Sequence, residues 1–321
     1  MSAHRPSPAA PPTAANPSAA GAAGSASPAA GRLELYLRLG RVSNLPTVWS
    51  NCLAGLLLAG AAPSPGPLVL LMGALTLFYT GGMFLNDAFD EAFDRVHRPE
   101  RPIPAGLLQA SEVYGLGFLQ LVLGGLALAL PAWAAGEAPR PAALLGGGLL
   151  AAWIVTYDWR HKRDPLSPLV MALTRGLVYF IAAAGARWPL PGALWGGIAV
   201  LLGYLIGLTY AAKQEHLASV RNGWPLACLA APFVYTLPLL AAGVVPLLLY
   251  AGFAAWVLYA LSFLLRTQGR SIPRAVVSLI AGISLLDALL IAQAQPGTPW
   301  VWAAVAAFAL TLFGQRYIAG T

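Results

Sequence analysis

The residues best suited to chemistry in this chain are acidic and closely spaced. Asp87, Asp90, Glu91 and Asp94 are four of only twelve Asp and Glu residues and fall within eight consecutive positions of a 321-residue sequence. On a helix Asp87, Asp90 and Asp94 stand at i, i+3 and i+7 and share a face, with Asn86 one turn before Asp90. Like charges this close repel one another, so the stripe is stable only when cations neutralise it. Hard oxygen donors with open positions suit Mg2+ held jointly with a substrate phosphate. The plain alternative is an acidic helix end facing water.

Other polar residues flank long apolar stretches. Arg98 and Arg101 follow the stripe and could make charge-assisted bonds to phosphate oxygens, or could simply mark topology. A third cluster runs from Tyr157 through Asp158, Arg160, His161 and Lys162 to Asp164. A further polar stretch runs from Tyr210 through Lys213 and Glu215 to His216. Arg175 and Asp287 lie deep inside apolar segments. An unpaired charge there costs a few kcal/mol, so Arg175 is expected to face a cavity. Asp287 could pair with it, contact a second substrate, or be a protonated buried carboxyl. Cys52 and Cys228 lack metal-site or disulfide spacing and read as small core residues.

The elements that must position these groups are membrane helices. The sequence is 58% apolar and 10% charged, against roughly 25% charged in soluble domains, which argues against a soluble enzyme. Ten apolar stretches, at about 44–62, 67–86, 112–134, 141–158, 165–186, 192–212, 224–243, 246–265, 273–294 and 299–318, are each long enough to cross roughly 30 Å of hydrocarbon. With the N-terminus inside, sixteen of the nineteen Lys and Arg residues fall in cytoplasmic segments and only Arg140 and Arg187 outside. The net charge of +7 is therefore mainly a topology signal, and no basic run interleaved with aromatics suggests a nucleic-acid groove. The expected fold is an all-α integral membrane protein with about nine to ten transmembrane helices, both termini and the acidic stripe cytoplasmic. Residues 1–31, rich in Ala, Pro and Ser, are expected to be a disordered tail, and 32–321 the transmembrane domain.

The run NDAFDEAFDRVHRPERPIPAG from Asn86 to Gly106 resembles the first signature of the UbiA superfamily of intramembrane prenyltransferases, which includes the 4-hydroxybenzoate polyprenyltransferases. The resemblance extends from Asn44-Leu45-Pro46 to at least the loop after the sixth span. It implies a helical bundle around a lipid-open cavity, with Mg2+ as cofactor and an isoprenoid diphosphate at the cytoplasmic mouth. A lipophilic, possibly aromatic, acceptor would arrive from among the membrane lipids, in a bacterial-type cytoplasmic membrane. It assigns Asn86, Asp87, Asp90 and Asp94 to metal and diphosphate, the aspartates being the catalytic set. It also makes Tyr157 and Lys162 the nearest matches to diphosphate-holding residues. Arg98, Arg101, Arg175, Tyr210, Lys213 and Glu215 complete the candidate substrate-binding set.

The family's second signature supplies further aspartates between the sixth and seventh helices, whereas this chain has only Glu215, beside Lys213. Lys213 could there replace one cation by an ammonium group. An allylic cation formed at such a site needs aromatic faces, for which Phe78, Tyr79, Phe84, Phe89 and Trp153 are candidates. Two other readings stay open on the same fold: glycosyl or phosphoribosyl transfer to a polyprenyl phosphate, and non-catalytic binding or transport of a lipid or precursor. Convergence of Lys162, Lys213 and Glu215 on the first-motif aspartates would favour catalysis.

Overall fold

The computed structural model describes residues 28–162, 164, 166–213, 224–266, 271–318 and 320. Every regular element among them is helical. Helix α1 (Pro28–Leu39) leads through a short 3-10 turn to α2 (Leu45–Leu58), α3 (Pro65–Phe89) and α4 (Glu91–His97). Then come α5 (Ala110–Ala127), α6 (Leu130–Ala134), α7 (Pro141–Arg160), α8 (Ser167–Ala186) and α9 (Gly192–Lys213). The rest of the bundle is α10 (Ala231–Tyr235), α11 (Val244–Leu265), α12 (Ile272–Ala294) and α13 (Trp300–Gly314). Proline in the first turn of α2, α3, α7, α8 and α12 suits a position whose N–H has no intrahelical partner. Helix α1 begins inside the stretch expected to be tail, so Pro28–Gly31 is helical. Residues 1–27 lie outside the described residues.

Seven helices among the described residues are long and apolar enough to span a bilayer: α3, α5 continued by α6, α7, α8, α9, α11 and α12. That is fewer than the nine to ten expected, for local reasons. Helix α2 has 14 residues, which at about 1.5 Å rise per residue falls short of roughly 30 Å of hydrocarbon. It stops before Gly60, whose φ of 76° is left-handed. In the stretch expected at 224–243, Pro225, Pro232 and Pro238 interrupt the amide ladder, leaving 3-10 turns around the five-residue α10. Helix α13 has 15 residues, bounded by Pro299 and a turn after Gly314.

The centre of the bundle packs α2, α8, α9 and α12, with Leu53, Leu57, Tyr179, Leu201, Tyr204, Leu286 and Leu290 almost wholly enclosed. Close approach depends on small residues, because lipid supplies no hydrophobic drive between helices. A Cβ at Gly55 would lie 2.5 Å from the Tyr179 carbonyl oxygen, so α2 meets α8 only with glycine there. Gly81 does the same for α3 against α5, where a Cβ would lie 2.9 Å from the Gly117 oxygen. Cys52 and Cys228 are free thiols.

The two deep charges meet inside this core, though not directly. Asp287 accepts hydrogen bonds from Ser50 (2.5 Å), from Asn51 (2.9 and 3.1 Å) and from the Tyr179 hydroxyl. Arg175 donates to the Asn51 amide oxygen at 2.9 Å, so Asn51 joins arginine to carboxylate. Ser284 adds a hydroxyl contact to Ser50 at 2.9 Å. One fully buried carboxylate thus ties α2, α8 and α12 together. Replacing Asp287 by Leu strands three donors, each costing about 1–3 kcal/mol. Asp287→Leu is expected to lower the midpoint of thermal unfolding in detergent markedly, and Asp287→Asn less; an unchanged midpoint for the leucine variant would show the hub to be dispensable.

Candidate active site

The acidic stripe does not lie on one unbroken helix. α3 ends at Phe89 and α4 begins at Glu91, with Asp90 at the joint (φ −81°, ψ −5°). The backbone bonds Asp90 N–H to Asn86 O (3.0 Å) and Asp94 N–H to Asp90 O (2.8 Å) carry the one-turn spacing across the joint. Asn86, Asp90 and Asp94 therefore keep the mutual placement expected of a helix. Asp87 is 9% exposed, Asp90 7% and Asp94 1%. That burial excludes a solvated helix end for these three, whereas Glu91 pairs locally with Arg95 at 2.6 Å.

Buried carboxylates need cationic partners, and the fold supplies three basic side chains from three places. Arg101, in the loop after α4, donates to Asp94 at 2.9 Å and Asp87 at 3.2 Å. Arg41, in the α1–α2 connection, reaches Asp87 at 3.2 Å. Its backbone is left-handed (φ 43°), a conformation uncommon outside glycine. Lys162, just beyond α7, lies 2.8 Å from Asp90, with its ammonium 3.5 Å above the Phe93 ring. His161 Nε2 is 3.6 Å from Asp90, and its ring stacks on Tyr157 with centroids 5.0 Å apart. Burial pushes the Asp94 carboxyl above its ordinary range, against the opposing pull of Arg101. Burial also lowers His161, which favours its neutral form.

The end of α7 brings one more acid. Asn86 donates to Asp158 Oδ1 at 3.0 Å, and Asp158 is 5% exposed. Asp158 and Lys162 face Asn86 and Asp90 with the same offset of 72 residues. α3 and α7 thus run side by side with their polar ends in register.

Of the residues singled out in the sequence, the fold gathers Asn86, Asp87, Asp90, Asp94, Arg101 and Lys162, with Tyr157 behind His161. Arg98 caps α4 through its backbone N–H to Asp94 O at 2.8 Å. Tyr210 lies in the last turn of α9. Lys213 donates to the Asp164 carbonyl at 3.2 Å and so meets the α7–α8 loop, not the first-motif aspartates. Glu215 lies outside the described residues. Arg175 belongs to the Asp287 hub, 5.4 Å from the centre of the Tyr79 ring. Phe78 is fully enclosed in core packing and Phe84 stacks on Tyr36, so neither ring is free to face a cation. A hollow of about 270 Å³ lined by Ala61, Pro67, Pro139 and Arg140 lies at the opposite end of the bundle. Arg41 and Asp158 escaped the sequence reading as site residues. Arg41 resembled a topology charge, and only the α3–α7 register distinguishes Asp158 from its polar neighbours.

Among the described residues no three His, Cys, Asp or Glu side chains converge at metal-ligating range. Mg2+ does not demand that, since one or two carboxylates with substrate phosphates suffice. Asp94 Oδ1 and Asp158 Oδ2 are buried without a hydrogen-bond partner. Orphan carboxylate oxygens beside a set of hard oxygen donors fit a divalent cation. Removing Arg101 leaves nearly inaccessible Asp94 uncompensated, at a cost of about 3 kcal/mol. Arg101→Met is therefore expected to lower thermal stability at neutral pH. The deficit shrinks as pH falls, because Asp94 with its raised pKa takes up a proton and no longer needs the guanidinium. An equal deficit at pH 4.5 and 7.5, read by thermal unfolding, would contradict this pairing.

The model of the UbiA prenyltransferase family matches residues 48–275. A digeranylgeranylglyceryl phosphate synthase of Methanopyrus kandleri is 29% identical over 213 residues, covering 63% of this chain and 70% of that protein. The synthase of the same name from Ignicoccus hospitalis is 37% identical over 98 residues, 30% of this chain and 32% of that protein. The solved structure of a UbiA homologue from Archaeoglobus fulgidus, bound to GPP and Mg2+, shares the fold with a TM-score of 0.56 at 14% identity, covering 86% of this chain and 99% of that one. Seven spanning helices and a family match over most of its length make this chain a multi-pass integral membrane enzyme that belongs to the UbiA prenyltransferase family.

Proposed function

We propose that this protein transfers a prenyl or polyprenyl group from an isoprenoid diphosphate to a lipophilic acceptor within the membrane, with the diphosphate held at the joined ends of α3, α4 and α7. The observation that carries this reading is the interleaving of buried acids with basic side chains: Asp94–Arg101–Asp87–Arg41 on one side and Asp90–Lys162 on the other. Such an array can receive a polyanion and its counter-cations together, because each basic group can turn from a carboxylate to a phosphate oxygen. The A. fulgidus homologue, bound to GPP and Mg2+, supports a diphosphate donor. The names of the curated relatives support an isoprenoid product.

Asp87, Asp90 and Asp94 would hold Mg2+, which when bound neutralises charge growing on the departing pyrophosphate. Arg41, Arg101 and Lys162 bind and orient the diphosphate, adding charge-assisted hydrogen bonds that strengthen as the allylic C–O bond breaks. The surrounding apolar helices keep water from the allylic cation, so the acceptor atom forms the new bond and releases its proton. Phe89, set edge-on to Tyr114 with centroids 5.1 Å apart, is the aromatic next to the acids that we assign to border that space. The excess of basic residues on the same side as the acids supports a cytoplasmic mouth.

Asp87→Asn and Asp90→Asn are expected to reduce Mg2+-dependent pyrophosphate release from an isoprenoid diphosphate by about 100-fold or more. Pyrophosphate release and product mass from purified protein with a lipid extract check this. Unchanged release in both variants, or release only from a sugar diphosphate, would overturn the assignment.

A further inference from the structure

The loop after α9 holds a single carboxylate, Glu215, where the family resemblance leads one to expect more aspartates. The α3–α7 register brings a different acid into the site. Asp158 lies opposite Asn86 just as Lys162 lies opposite Asp90, one turn further along each segment. Its Oδ1 accepts the Asn86 amide hydrogen at 3.0 Å, which fixes the carboxylate's orientation. Its Oδ2 is buried and has no partner among the described residues.

The cations nearby are committed elsewhere. Lys162 lies on Asp90, Arg101 bridges Asp87 and Asp94, and Arg41 lies on Asp87. His161 turns Nε2 toward Asp90, and its Nδ1 contacts the Asp158 backbone carbonyl at 3.2 Å, not the carboxylate. Among the described residues, Arg41, Arg101 and Lys162 lie within 4 Å of the carboxylates of Asp87, Asp90 and Asp94, and no ion pair at that range is made by Asp158. A buried ionised carboxylate with an unsatisfied oxygen is unfavourable, and either a proton or a bound cation relieves it.

We propose that Asp158 is a ligand of the divalent cation bound with the diphosphate, supplying from the end of α7 a carboxylate that the loop after α9 lacks. The inference rests on the proposed function and deepens it, since Mg2+ held by one or two carboxylates and substrate phosphates needs only a donor such as Oδ2. Asn86 then acts as a positioning residue through its amide hydrogen.

The test is Mn2+ binding, followed by calorimetry and electron paramagnetic resonance on detergent-purified protein with a non-ionising geranylgeranyl thiolodiphosphate. Asp158→Asn keeps the shape and an oxygen for Asn86, and Asp158→Ser removes the charge in a smaller side chain. Both are expected to weaken diphosphate-dependent Mn2+ binding at least about 10-fold or to lose one Mn2+ per chain, as expected when one of few carboxylate ligands goes. Asp158→Glu should retain most of it, and Glu137→Gln, at the far end of the bundle, should match the wild type. Wild-type Mn2+ binding in either charge-removing variant would overturn the role of Asp158 while leaving the proposed function standing. Absence of diphosphate-dependent Mn2+ binding in the wild-type protein would overturn both.

Discussion

The burial of several carboxylates at one end of a membrane bundle is the constraint on which the rest of the structure depends. Asp94 is essentially inaccessible and Asp87, Asp90 and Asp158 nearly so, in surroundings where an uncompensated charge costs several kcal/mol. Arg101 must therefore fold back over α4, Arg41 must adopt a left-handed turn before α2, and α7 must end in register with α3 so that Lys162 meets Asp90. Arg101 comes from the loop seven residues beyond Asp94, whereas Arg41 and Lys162 come from elements distant in sequence. Each draws a separate element toward the acidic motif, which turns a charge problem into a defined site.

A second carboxylate solves a different problem. Asp287 is enclosed in the core and gathers hydroxyl and amide donors from α2 and α8. It positions helices, whereas we propose that the acids at the mouth offer oxygens to a ligand. Two of those mouth oxygens, on Asp94 and Asp158, have no hydrogen-bond partner among the described residues, while both oxygens of Asp287 are satisfied. Chemical type alone does not separate the two kinds of acid; the count of donors around each oxygen does. Glycine at position 55 lets α2 approach α8 closely enough for the Asp287 cluster to form, and glycine at 81 brings α3 against α5.

Much of this was legible in the residues. The spacing of Asn86, Asp90 and Asp94 survives the helix break because the backbone bonds continue through Asp90. The apolar runs located the long helices well, but only seven of the described helices reach spanning length, because composition does not register how Pro225, Pro232 and Pro238 chop an apolar stretch into turns. Arg175 and Asp287 were visible as anomalies, but the Asn51 that links them was hidden in an ordinary apolar helix. Arg41 and Asp158 were hidden for a related reason. Their importance comes from which helix end lies beside which, a tertiary fact that charge counting cannot recover. Lys213 entered the candidate substrate-binding set by its place at the family's second signature, and the fold sends it to the Asp164 carbonyl.

The central claim is that the buried acids and their basic partners form a receptor for a diphosphate together with a divalent cation. Equilibrium binding of a non-ionising isoprenoid thiolodiphosphate to the wild-type protein, with Mg2+ present and with Mg2+ chelated, tests it most directly. Binding at least about 10-fold tighter with Mg2+ is the predicted result, because an added divalent charge offsets repulsion between diphosphate and carboxylates. Equal affinity in the two conditions would contradict the account.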